Sequence, residues 1–159
     1  KLCFESFGVR GCSVQTDAVL ALICSGRLTG CVLACGHEVA HAVPVYEGHM
    51  LPHAVSCTDV GGVDVTDFLL QMIASENRHV AEDIKHTKGY VALDYEAELA
   101  KMRADPKSIE CAYELFTGDV IRVGTPRFKC VEVLFQPPLI GKHGMGIHEL
   151  AYHSIASCQ

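Results

Sequence analysis

The chain has no run of basic residues: its 13 Lys and Arg stand singly among 19 Asp and Glu, for a net charge of −6. That pattern excludes a surface built for nucleic acid or an anionic membrane, since both need clustered cations. Nor is there an apolar stretch near the roughly 20 residues that cross a bilayer; the longest, Ala18 to Cys24, is far shorter. No charged start, apolar core and small-residue cleavage site opens the chain. It begins at Lys1 rather than Met, inside an apparent element, Leu2-Cys3-Phe4-Glu5-Ser6-Phe7, and so reads as a fragment of a longer protein. Internal repeats and low-complexity tracts are missing. The nine cysteines are an odd set without a close-spaced framework. With no secretory signal, that predicts reduced thiols in the cytosol or nucleus.

What is present fits one ordinary globular domain: 159 residues, 49% apolar and 20% charged. A short strand is expected over Gly11 to Gln15. Asp17 then opens a helix, Ala18 to Cys24, closed by Ser25-Gly26 and apolar all round, hence buried. Thr29 to Cys35 reads as a central strand, Gly36-His37-Glu38 as a turn, and Val39 to Tyr46 as the returning strand of a hairpin. A further strand is expected at about Leu51 to Cys57. Asp64 begins the clearest helix, with Val65, Phe68, Leu69, Met72 and Ile73 on one stripe. A more polar helix follows over about Val80 to Thr87. Tyr113-Glu114-Leu115 and Val120 to Val123 form a hairpin turned by Thr117-Gly118-Asp119. Phe128 to Phe135 is expected to be helical, ended by Pro137-Pro138. A last helix starts near Gly146, with Ile147, Leu150, Ala151, Ser154, Ile155 and Cys158 on one face. The order of elements implies an α/β core with a helical insertion.

Five strings, in order and spanning nearly the whole chain, resemble the actin family. They are Ser25-Gly26-Arg27-Leu28-Thr29-Gly30; Val43-Pro44-Val45-Tyr46-Glu47-Gly48 with Leu51-Pro52-His53-Ala54; Tyr90-Val91-Ala92-Leu93-Asp94-Tyr95-Glu96; Phe135-Gln136-Pro137; and Gly146-Ile147-His148-Glu149. The Tyr46-Glu47-Gly48 and Gly146 to Glu149 strings resemble actins rather than the sugar kinases or heat-shock chaperones that share the superfold. The resemblance implies part of an actin-like ATPase fold (ribonuclease H-like). Residues 1–24 would end the first large subdomain. Residues 25–60 would carry the phosphate hairpin of the second, 61–145 a small inserted helical subdomain, and 146–159 the return to the second. It also implies ATP with magnesium as cofactor, actin or actin-related subunits as partners, no nucleic acid and no membrane, and a cytoplasmic, cytoskeletal or nuclear location.

The resemblance gives each cleft position an expectation. The family's second phosphate hairpin has the pattern Asp-small-Gly-Asp-Gly, whose acids hold the metal's water ligands and whose glycines let backbone N–H groups reach phosphate. Ala34, Cys35, Gly36, His37 and Glu38 stand there, followed by Val39. Only the middle glycine is kept. Glu38 beside a polyphosphate would cost on the order of 4 kcal/mol for like charges ~4 Å apart at an effective dielectric of ~20. That is about a thousandfold in affinity if the side chain cannot turn away. A Glu would also be strained if the backbone there needs φ > 0. Asp59, Gly62 and Lys85 match cleft positions of the family. His86 replaces a ribose-binding glutamate, Glu82 an arginine on the adenine side, and Asp17 the glutamine that orients the attacking water. His41 matches the histidine near that water. Asp17 has two readings, a carboxylate for the metal or an N-cap of the helix after it. His41 likewise has two, the site histidine or a satisfied core histidine.

These positions lead to an expectation of ATP bound weakly or not at all and hydrolysed poorly, against the alternative of a conventional filament-forming, ATP-hydrolysing actin. A zinc module through Cys31, Cys35, His37 and His41, spaced C-x3-C-x-H-x3-H, is the reading from a different class. Gln136 to Gly141 resembles the family's hydrophobic loop, so Leu139 and Ile140 are candidates for self-association; the plain alternative is a Pro-terminated surface loop.

Overall fold

The computed structural model describes residues 1–74, 76–115 and 117–158. The first hairpin forms as expected. β1 (Gly30–Cys35) and β2 (Ala40–Tyr46) pair antiparallel from Gly30↔Val45 to Cys35↔Ala40. Strand alternation sends Val32, Val43 and Val45 to one face, where Ala18, Val19 and Leu22 of α1 (Asp17–Cys24) cover them. Cys31, Ala40 and Ala42 point the other way, against Ile147 and Leu150 of α6 (Ile147–Ala156). A sheet covered on both faces explains why its strands are apolar almost without alternation. Two short strands, β3 (His49–Met50) and β4 (Ser56–Thr58), also pair antiparallel with β2.

Several expectations need correction here. Residues 11–15 join no strand among the described residues, and Leu2–Ser6 forms a short π-helical turn with every residue exposed. α1 is not buried all round: Leu20 and Ile23 are 46% and 47% exposed, so only one stripe meets the sheet. The expected strand over 51–57 breaks into a 3-10 turn, Pro52–Ala54, and β4. Pro52 fixes φ and offers no N–H to a ladder.

A second core is built only from residues between 65 and 140. Val65 and Leu69 of α2 (Gly62–Ile73), Ala81 and Ile84 of α3 (Arg78–Lys88), and Val123, Cys130 and Val133 form its buried centre. The predicted α2 stripe, Phe68, Met72 and Ile73 included, faces it. α3 starts earlier than expected because the Asn77 side chain accepts the His79 and Val80 N–H groups. α4 (Tyr95–Ala104), absent from the sequence reading, buries no residue and has no apolar stripe to detect. The hairpin of β5 (Cys111–Glu114) and β6 (Val120–Val123) turns at Gly118, with φ +87°. α5 (Pro126–Glu132) begins on a proline suited to a first helical turn and ends short of the expected Phe135. Arg127 ties this half together: it donates to the Lys88 and Ile109 carbonyls and lies 4.9 Å from the Tyr90 ring centre. The chain leaves the sheet at residues 59–61 and returns to it at 141–146.

Candidate functional site

The turn between β1 and β2 is closed by the Gly36 N–H donating to the Val39 carbonyl, 2.9 Å. This loop docks on the start of α2. The Gly62 N–H donates to the Gly36 carbonyl (3.0 Å) and the Val63 N–H to the His37 carbonyl (2.7 Å). Helix starts carry N–H groups with no intrahelical partner; here the loop supplies the partners. The fit is tightest at Gly61, where a Cβ would lie 2.5 Å from the His37 carbonyl oxygen and 2.7 Å from the Glu38 carbonyl carbon. At Gly62 it would meet the Gly36 oxygen at 3.5 Å, an ordinary contact. Sequence reasoning chose Gly62 for close approach; the packing constraint falls on its neighbour.

Behind the loop, Lys85 reaches from α3 to the first turn of α2. Its Nζ donates to the Gly62 carbonyl (3.2 Å) and to Thr66 Oγ1 (2.9 Å), with Glu82 at 4.0 Å. The Thr66 hydroxyl donates to the same Gly62 carbonyl, 3.0 Å. Thr66, which the sequence reading missed, is buried and carries no motif; the signal was its place one turn into α2. Burial pushes the Cys35 thiol pKa up, with the Lys85 charge opposing. The His86 side chain is exposed and makes no hydrogen bond or ion pair among the described residues. Asp59 is brought not to the loop but to Lys142, whose Nζ lies 3.9 Å from its carboxylate.

At the loop tip His37, Glu38 and Val39 are exposed. Glu38 does not have a positive φ, so the strain expected of a Glu replacing the last glycine is not there. Asp17 and His41, distant in sequence, do come together. Asp17 Oδ2 lies 3.8 Å from His41 Nε2, while Oδ1 accepts the Ala18 N–H at 2.8 Å. The carboxylate thus serves the helix start and faces the histidine at once, although Thr16 is the N-cap residue. His41 is half-buried, paired across the sheet with Ala34 and Cys57.

The zinc reading fails on strand alternation. Cys31 and Cys35 point to the α6 face, Cys31 meeting Ser154 at 3.9 Å, whereas His41 shares the opposite face with Ala34. Among the described residues no group of three or more His, Cys, Asp or Glu could hold a metal ion.

The residues present do not fit a magnesium–polyphosphate either. The hairpin holds no acid at Ala34 or His37 for a metal's water ligands, and its one carboxylate, Glu38, sits exposed at the tip, where the resemblance would put phosphate. The first N–H groups of α2, natural anion donors, are already given to loop carbonyls. No helix among the described residues is long and apolar enough to cross a membrane.

Comparison with known proteins adds two findings. The family model described as Actin matches residues 1–81 and 71–159. The chain is 33% identical over 167 aligned positions to "Putative actin-29" of Dictyostelium discoideum, covering 99% of this chain and 43% of that protein. The chain therefore spans less than half the length of the curated relative it matches.

Proposed function

The chain belongs to the actin family, with a partial actin fold of mixed α/β type and antiparallel sheets, and from that premise we propose that the protein is an actin-like cytoskeletal subunit that binds ATP weakly or not at all and hydrolyses it poorly. The observation that carries this reading is the docked hairpin loop with Ala34, His37 and Glu38 where the family pattern has acid, acid and glycine. A cleft that lacks carboxylates for the metal and adds one at the phosphate has lost both halves of its charge match. Equilibrium dialysis of the full-length protein with ATP and magnesium tests it. No binding, or binding orders of magnitude weaker than a conventional actin, is expected; comparable affinity overturns it.

In this reading Gly36, His37, Glu38 and Val39 form the remnant phosphate loop, and Asp59, Gly62, Lys85 and His86 the remnant nucleoside side. The buried cluster confined to residues 65–133 supports treating 61–145 as an inserted small subdomain, between a second large subdomain at 25–60 and 146–159, with 1–24 ending the first. The location that goes with such a subunit is the cytoplasm and cytoskeleton, with the nucleus as a second site.

The conventional reading has one observation in its favour, the 3.8 Å approach of Asp17 to His41. A carboxylate and an imidazole there would orient a water. Single-turnover phosphate release from the full-length protein separates the two: release lost on His41→Ala supports the conventional reading, and absence of release in the unaltered protein supports ours.

Self-association through the Pro137–Ile140 turn is the expected assembly mode. Leu139 is 37% exposed there, while Ile140 packs against the second core, so Leu139 is the side chain offered to a neighbouring subunit. Pelleting of the full-length protein, alone and with actin, tests this; no pellet in either case removes it.

A further inference from the structure

The two cores share no buried cluster, and the chain crosses between them at residues 59–61 going out and 141–146 coming back. Lys142 joins these two crossings. Its Nζ lies 2.9 Å from Asp64 Oδ1 and 3.9 Å from Asp59 Oδ2, and it also donates to the Asp59 carbonyl. Asp64 is otherwise engaged on the outgoing side: its Oδ2 accepts the Gly61 N–H at 3.0 Å. One carboxylate therefore caps α2 with one oxygen and holds the returning strand of chain with the other. Asp64 is half-buried, with its side chain 13% exposed. Among the described residues these are the only ion pairs between residues 59–64 and residues 141–146. Next to the lysine, Gly144 closes on Thr58: a Cβ there would lie 3.0 Å from Thr58 Oγ1.

We propose that Lys142 is an ionic clasp over the paired crossings, which fixes the tilt of the α2–α5 body against the sheet and which loss of the lysine charge releases. Three features argue for a clasp rather than an ordinary surface pair. The lysine bonds to both a carboxylate and a main-chain carbonyl of the outgoing crossing, so it holds the backbone itself. Its main partner is a capping residue, so freeing the lysine loosens the first turn of α2. The main-chain hydrogen bonds across the boundary, Gly36–Gly62, His37–Val63 and Leu134–Ile147, are by contrast uncharged and insensitive to salt.

Hydrogen exchange on the full-length protein provides the test. In Lys142→Met the amides of Gly61, Gly62 and Val63 are expected to exchange about three- to tenfold faster, with Ala40 to Tyr46 unchanged. Lys142→Arg keeps the charge and is expected to behave like the unaltered protein. Salt at about 1 M, which screens such pairs, should reproduce the local acceleration in the unaltered protein and add nothing to Lys142→Met. Equal exchange at residues 61–63 in both proteins, or equal salt sensitivity in both, overturns the clasp. Should Lys142→Met fail to fold, the unaltered protein alone decides: local acceleration by salt at 61–63 upholds the proposal, and its absence overturns it.

Discussion

The loop at residues 36–39 and the α2–α3 face behind it touch each other but are held by different kinds of bond. The loop is seated by main-chain groups: the carbonyls of Gly36 and His37 receive the first N–H groups of α2, and Gly61 clears the space. The face behind it is held by side chains, Lys85 and Thr66 converging on one carbonyl. In the proposed reading the loop has lost the residues of its family pattern, whereas Lys85 keeps its place. A structure seated by its backbone keeps its shape whatever side chains it shows; one seated by side chains keeps those side chains.

That contrast can be tested from both sides. Restoring the loop pattern with Ala34→Asp, His37→Asp and Glu38→Gly in the full-length protein should raise ATP affinity by up to about a thousandfold, the limit set by the charge argument. Isothermal titration calorimetry with magnesium reads it, and an unchanged affinity would place the defect outside the hairpin. Gly61→Ala drives a methyl group into the His37 carbonyl and should destabilise by about 2–3 kcal/mol, as overpacking does. Urea unfolding measures this. Lys85→Met leaves the Gly62 carbonyl its Thr66 donor and should cost only about 1 kcal/mol, seen as a lower urea midpoint. His37→Ala should shift that midpoint least of all, within about 0.5 kcal/mol, since its side chain is exposed and only its carbonyl bonds to α2. A large loss there would break the contrast.

Legibility in the sequence followed the same division. The β1–β2 hairpin and α2 were readable because long apolar runs and a 3.6-residue stripe report burial directly. α4 was not readable, because a helix that buries nothing leaves no period. The expected strand over 11–15 has apolar residues but no neighbour to pair with among the described residues, and a strand needs a partner. At the site, the motif located Lys85, Gly62 and the loop, yet the constraint on Gly61 and the approach of Asp17 to His41 depend on tertiary distances that no local pattern encodes. Asp59 shows the converse: its place in a motif said nothing of Lys142, which lies 3.9 Å from its carboxylate but far along the chain.

The main-chain seating of the loop also bears on how such a protein changes over generations. Substitutions at positions 37 and 38 change exposed side chains without touching the main-chain bonds that keep the loop in place. Chaperones and proteases, which act on unfolded chains, gain no purchase on them. On the proposed function, cellular abundance would then be blind to a loss of ligand, and only selection on binding itself would guard those positions. At Gly61 a side chain would collide with the loop backbone, so folding itself closes drift there while the adjoining loop tip stays free to wander.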